Sequence, residues 1–218
     1  MNTPLTILIH GLHMNPWYMK PLAKKLSRAG LATYCYGYPS LRQSVAQHSQ
    51  GLHDYLTQHH DPKQPIHLVG HSLGGLVMRH FLANHRQWQV QHCVTLGTPH
   101  TGSQVARYAY QYLPMLVKPA YAGALDGTCP LPPADTKIGV IAGNRPVGLG
   151  LPFIALHRRR HRLTAADGEH DGTVFVSETR LESACDYLVL PVSHTGLMTN
   201  DAVAKQVIYF LQHGQFWR

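Results

Sequence analysis

The sequence predicts an α/β fold, a mainly parallel sheet of about six strands with helices on both faces. Three observations predict it. Short, almost continuously apolar runs alternate with segments of helical spacing, the pattern of strands buried on both faces. Polar residues suited to chemistry come directly after the predicted strand ends: His10-Gly11, Ser72, Gly97-Thr98-Pro99-His100, Asp171 and His194. In open parallel sheets ligands gather at the carboxyl ends of the strands. The third observation is Gly70-His71-Ser72-Leu73-Gly74-Gly75, set between an apolar run and a helical one.

In chain order, Leu5 to Ile9 reads as a buried strand ending in His10-Gly11. Asn15-Pro16 opens a helix through Met19, Leu22, Ala23 and Leu26 that Gly30 closes. Ala32 to Gly37 is a second strand, stopped by Tyr38-Pro39, and a helix comes next around residues 42–58. The strand at 66–69 leads into the glycine-rich turn and a helix to about His85. Val90 to Leu96, Ile138 to Ala142 and Tyr187 to Leu190 are the remaining strands. The closing helix runs from about Asp201 to Gln212, capped by Asn200, with Val203, Val207, Phe210 and Leu211 on one face. Two stretches break the alternation. Residues 103–135, rich in Tyr, Leu and Met and broken by prolines, read either as a core helix plus loop or as an apolar cap inserted over the site. Residues 143–170 are Gly/Pro-rich and then basic.

At 218 residues and 44% apolar, the chain suits one well-buried domain spanning 1–218. No run approaches the roughly eighteen apolar residues of a membrane span, and Met1 to Ile9 lacks the basic start of a signal peptide, so a soluble, cytoplasmic protein is expected. The four cysteines form no disulfide or metal framework and are expected as free, mostly buried thiols. Nineteen Lys and Arg against eleven Asp and Glu give a net charge of +8. Half of that excess is the run His157-Arg158-Arg159-Arg160-His161-Arg162, which reads as a solvated loop face or as a contact for an anionic substrate group or an acidic membrane surface. No recognition helix or stacking motif accompanies the charge, which argues against nucleic acid. Nor does the histidine-rich composition carry a metal-ligand spacing, since His157 and His161 enclose three arginines that repel a cation.

Gly70-His71-Ser72-Leu73-Gly74 is a G-x-S-x-G sequence between strand and helix, the pattern of a nucleophile elbow, in which a sharp turn lifts the serine hydroxyl above the sheet. A lone serine is a poor nucleophile and needs a base, an orienting acid and an oxyanion site. Together with His10-Gly11-Leu12, the stretch Leu96 to Ser103, Asp171-Gly172-Thr173-Val174 and Ser193-His194, the elbow resembles the α/β-hydrolase superfamily. The Gly97-Thr98-Pro99-His100-Thr101-Gly102-Ser103 segment is similar to that of bacterial lipases and lipase-like serine esterases. The resemblance spans nearly the whole chain. It implies Ser72 as nucleophile, His194 as general base, Asp171 as the acid, and the backbone N–H groups of Leu12 and Leu73 as the oxyanion hole. A histidine pKa of about 6.5 suits a base working near neutrality. Asp167 and Glu169 compete with Asp171 for the acid, and His10 reads as support for the oxyanion loop, with His13 and His100 as further lining candidates.

The resemblance further implies a carboxylester hydrolase without a cofactor, acting through an acyl-enzyme on acyl esters of short to medium chain or on lipids. The same triad serves thioesterases and acyltransferases, because leaving group and acceptor access separate them. A non-catalytic lipid- or partner-binding domain of this fold is the reading from a different class. The chain begins at the His10-Gly11 strand, without the antiparallel strands of larger relatives, and shows no long lid, which favours esterase over lipase.

Overall fold

The computed structural model describes residues 4–164 and 168–218. Met1, at the start of the segment read as leaderless, and Asp167, one of the competing acids, lie outside the described residues. Six strands, β1 (Leu5–Ile9), β2 (Ala32–Tyr36), β3 (Ile66–His71), β4 (Val90–Leu96), β5 (Ile138–Gly143) and β6 (Asp186–Leu190), form one sheet in the order β2-β1-β3-β4-β5-β6. Every neighbouring pair is parallel. Helices α1 (Lys20–Arg28), α2 (Val45–His59), α3 (Leu73–Asn84), α4 (Gln104–Tyr112), the single turn α5 (Lys118–Ala120), α6 (Leu151–His161) and α7 (Asp201–His213) make up the connections and the C-terminal layer.

The continuous apolar runs are explained by burial on both faces. Ile7, Ile9 and Leu68 point into a core layer with Val45, Leu52 and Leu56 of α2 and Leu76, Val77 and Phe81 of α3. Their chain neighbours Leu8 and Val69 point the other way, onto Leu22 and Leu26 of α1 and Val203, Val207 and Phe210 of α7. The local signals hold where expected. Asn200 Oδ1 accepts the Ala202 N–H at 2.8 Å to start α7. Ser44 and Gln47 form a reciprocal capping box at α2, and Gly30 ends α1 at φ 85°. Asn15 opens a 3₁₀ turn, Pro16–Met19, before α1 proper. β1 connects outward to β2, whereas β3 continues the sheet in the opposite direction, so the segments leaving β1 and β3 diverge. That divergence opens the crevice in which doubly wound sheets hold their ligands.

Two expectations need correction. The basic run at 157–162 is not a loop: residues 157–161 are the last turns of α6, and only Arg162, left-handed at φ 50°, terminates it. Pro152 sits in the first turn, where a missing N–H costs no helical bond. The thiols are free, but only Cys93 and Cys129 are buried; Cys35 is half-buried and Cys185 exposed, because β2 and β6 are the sheet's edges. Residues 103–135 form an excursion that is partly packed into the core and partly exposed. The Ser103 N–H donates to the Leu125 carbonyl at 2.8 Å, so the segment leaves and re-enters at one point. Its inner residues Ala106, Ala120, Ala124 and Leu125 join the α2/α3 core, while Tyr110, Tyr112, Leu113, Met115 and Leu116 face outward. No helix among the described residues is long and apolar enough to cross a membrane.

Several histidines are packed inside this frame in neutral form. Burial, with the neighbouring His10 adding, pushes His48 down to about 4, and burial with His92 does the same to His67. Unfolded, each returns to the ordinary histidine value, so the unfolded chain takes up protons first as the pH falls. The contribution of these two imidazoles is therefore full above about pH 6.5 and lost between there and pH 4. Thermal unfolding measured across that range should show the decline, and His48→Phe should remove up to about one proton from its slope.

Candidate active site

Ser72 stands between β3 and α3 with φ 52° and ψ −122°, a conformation that a residue bearing a β-carbon adopts only under constraint. The constraint is the seating of α3 on the end of β1. A β-carbon on Gly74 would collide with the Ile9 carbonyl oxygen and lie 2.5 Å from that of His10. The turn is then pinned by hydrogen bonds. The Ser72 N–H donates to the Leu96 carbonyl at 2.9 Å. The Ser72 carbonyl accepts from Thr98 Oγ1 and from the Gly75 N–H, both at 3.0 Å.

Gly11 runs alongside, since a β-carbon there would lie 3.1 Å from Ser72 Cβ. Leu12 is next in the chain, and Leu73 is the first residue of α3, where no intrahelical carbonyl is in reach. Among the described residues neither the Leu12 nor the Leu73 N–H donates to a protein acceptor. The loop's position is fixed by His10, fully buried, whose Nδ1–H donates to the Gly11 carbonyl at 2.9 Å while Nε2 accepts the Tyr38 N–H at 3.4 Å. Tyr38 stacks on its ring at 4.2 Å and donates its hydroxyl to the His10 carbonyl at 2.6 Å. His10 thus supports the loop. Of the other lining candidates, His13 is exposed at φ 59°. His100 is buried, accepting from Arg79 and donating to Thr95 Oγ1 at 3.0 Å, and burial beside Arg79 holds its pKa well below the usual value.

Asp171 and His194 are brought together directly. His194 Nδ1 donates to Asp171 Oδ2 at 2.6 Å, and the His194 N–H donates to the Asp171 carbonyl at 2.9 Å. The other carboxylate oxygen accepts the N–H groups of Thr173 at 2.9 Å and Val174 at 2.8 Å. Asp171 is 1% exposed. The turn needs Gly172, at φ 97°, because a β-carbon there would collide with the Val147 backbone. Glu169, the described competitor, is exposed and makes no contact with His194 among the described residues.

His71 completes the arrangement. Its Nε2–H donates to the His194 carbonyl at 2.9 Å, and the two rings lie 4.6 Å apart. His194 is thereby held at its N–H, its carbonyl and its Nδ1, while Nε2 carries no protein partner among the described residues. Gly97 lies under the pair: a β-carbon there would be 3.0 Å from Asp171 Oδ2 and 3.1 Å from His194 Nδ1. The Ser72 hydroxyl and His194 share no hydrogen bond among the described residues; such bonds are often long until substrate arrives.

Sequence reasoning missed two buried charged groups. Arg79 is 1% exposed and donates to the carbonyls of His100 at 2.7 Å and Cys129 at 2.8 Å. A lone arginine in the apolar run Leu76 to Leu82 is the signal it left. Glu178 accepts the Gln104 N–H at 2.6 Å and the Phe175 N–H at 2.9 Å, tying the start of α4 to the loop after Asp171. Burial pushes its pKa up to about 8, and no local pattern marks it. Glu178 lines a cavity of about 260 Å³ with Gln104, His157, Leu163 and Phe175, and neither Ser72 nor His194 reaches that cavity.

A family model for the alpha/beta hydrolase family matches residues 6–209. The chain belongs to the α/β hydrolase family. Among solved structures it is similar to the mature lipase of Bacillus licheniformis, with 21% identity and a TM-score of 0.73 over 97% of this chain and 92% of that one. A metagenomic carboxyl esterase aligns with a TM-score of 0.69 at 15% identity, covering 97% of this chain and 74% of that one. A pyrethroid hydrolase of Sphingobium faniae aligns with a TM-score of 0.59 at 13% identity, covering 97% and 98%. At these identities the likeness is one of fold. No curated protein matches by sequence.

Burial, reinforced by the adjacent His194 ring, holds the His71 imidazole well below the usual histidine value, and its bond to the His194 carbonyl fixes the proton on Nε2. Nitrogen-15 NMR of the ring nitrogens should find His71 neutral and Nε2-protonated throughout pH 5 to 8. A titrating His71, or the opposite tautomer, would contradict this arrangement.

Proposed function

We propose that the chain is a serine ester hydrolase, with Ser72 as nucleophile, His194 as general base and acid, and Asp171 as the group that orients and charge-compensates the imidazole. The observation that carries this reading is the buried Asp171–His194 pair at 2.6 Å beside an elbow serine in an α/β hydrolase chain. The substrates are acyl esters of short to medium chain, or lipids, and no cofactor is required.

In the proposed reaction, His194 Nε2 takes the Ser72 hydroxyl proton as Oγ bonds to the ester carbonyl carbon. The carbonyl electron pair moves onto oxygen, which the Leu12 and Leu73 N–H groups face. Donors fixed in advance need no reorganisation as charge develops, and each is typically worth on the order of 100- to 1000-fold in turnover. Collapse breaks the ester C–O bond, and the alcohol leaves with the proton from His194. Water then repeats the sequence on acyl-Ser72, releasing the acid and restoring the serine. Asp171 keeps the Nδ1–H tautomer in place, so that Nε2 is the lone pair presented to serine. A lipase and a carboxyl esterase among the similar structures agree with an ester as the scissile group.

Fluorophosphonate labelling read by intact mass should add one adduct to the wild type and none to Ser72→Ala. On p-nitrophenyl esters, Ser72→Ala and His194→Ala should each lose at least about 1000-fold in kcat while retaining the wild-type fold. Asp171→Asn should lose roughly 100- to 10,000-fold, because the tautomer is no longer enforced. An unlabelled wild type, or an active His194→Ala, would overturn the proposal. Faster turnover of acyl thioesters than of matched esters would move the substrate class and leave the triad standing.

A further inference from the structure

Both excursions of the chain beyond the sheet fall within acid-free stretches of sequence. No Asp or Glu occurs between Asp61 and Asp126, and none between Asp135 and Asp167. The first stretch contains the 103–125 excursion with Arg107 and Lys118; the second contains α6 with Arg158, Arg159, Arg160 and Arg162. These cations therefore lie on segments that carry no carboxylate of their own.

The two excursions pack side by side. Tyr108 of α4 stacks on Phe153 of α6 at 6.4 Å, and its hydroxyl lies 3.4 Å from His157 Nδ1. One turn further along each helix, Arg160 donates to the Tyr112 hydroxyl at 3.3 Å while its guanidinium sits over the Tyr108 ring at 5.5 Å. Matching positions advance together, so α4 and α6 run in the same direction and end together. At that shared end, α4 continues into Leu113, Met115 and Leu116, all exposed, with Met115 at 80%. Beside them α6 ends in exposed Arg159, Arg160, His161 and Arg162, cations that also suit the negative end of a helix dipole.

Exposed thioether and leucine side chains next to exposed arginines form a composite surface. A soluble polyanion would engage the arginines and leave the apolar side chains in water. An uncharged apolar partner would gain nothing from the arginines. A bilayer bearing anionic headgroups satisfies both, since apolar side chains enter the headgroup boundary while long cationic ones reach the phosphates. We infer that the shared end of α4 and α6 docks the protein on an anionic phospholipid surface. The inference concerns adsorption and goes beyond the proposed ester chemistry, so either can fail without the other.

Co-sedimentation of the full chain with vesicles tests it. The protein should pellet with phosphatidylcholine vesicles containing about a third phosphatidylglycerol and stay in solution with phosphatidylcholine alone, and added salt should release it. Arg159→Gln with Arg160→Gln should weaken binding about fivefold per charge removed. Met115→Ser with Leu116→Ser should weaken it on the order of tenfold at unchanged net charge. Both pairs should keep the wild-type unfolding temperature; if Arg160→Gln loosens the Tyr112 contact, Arg159→Gln with Arg162→Gln makes the same charge test. Absence of binding to the anionic vesicles, or binding that survives either pair of substitutions, overturns the proposal. So does equally strong binding to soluble duplex DNA that the Met115 and Leu116 changes leave unaltered.

Discussion

The close approach of α3 to the end of β1 is the constraint on which the carboxyl edge of the sheet depends. With Gly74 lying against the Ile9 and His10 carbonyls, the chain has too little room to turn from β3 into α3 by an ordinary loop. Ser72 absorbs the whole change of direction at φ 52°. The strain is held by the neighbours of the turn: Leu96 and Thr98 fix its backbone, and β4 in turn is locked between β3 and β5. The same contact sets the Gly11-Leu12 loop beside the serine, because seating α3 against β1 also fixes the residues that leave the end of β1. One steric fact thereby positions a side chain and two free N–H groups from separate parts of the chain.

Asp171 and His194 are held by different means. Neither lies in a regular element, and the order around them comes from assigned hydrogen bonds. One Asp171 oxygen accepts two amides, the other accepts the imidazole, and its carbonyl accepts the His194 N–H. Low local dielectric strengthens each bond and makes any unpaired member costly, so such a network tolerates one arrangement. His71 links this network to the elbow, because it precedes Ser72 in the chain and donates to the His194 carbonyl. Rotation of the His194 loop would break a bond to the residue adjoining the serine.

The parts of this design legible in the sequence are those with local causes. Two-face burial writes itself as unbroken apolar runs in the inner strands, and the edge strands β2 and β6 were visible from their β-branched and aromatic residues, as were Asn200 and Gly30 at helix ends. Ser72 carries the glycines of its turn, and Asp171 carries Gly172. The helix Leu151–His161 was hidden because Gly148 to Pro152 imitates a loop and because, within the helix, only Ile154 is buried. Its support comes from Tyr108 and Tyr112, some fifty positions away in sequence. Arg79 and Glu178 were unreadable for the same reason. Their burial is made by Cys129, His100 and Gln104, which no window around either residue contains.

Charge is distributed along the same division. Three carboxyl groups are answered by backbone amides: Asp126 by Gly123 and Thr128, Asp171 by Thr173 and Val174, Glu178 by Gln104 and Phe175. None of these is left to neutralise the arginines of α6. Arg160 is held by the Tyr112 hydroxyl and the Tyr108 ring, neither of which cancels its charge. Exposed arginines therefore stand where α4 and α6 end, beside exposed apolar side chains. Glu178 links this surface to the candidate site, because it ties the first turn of α4 to the loop that follows Asp171.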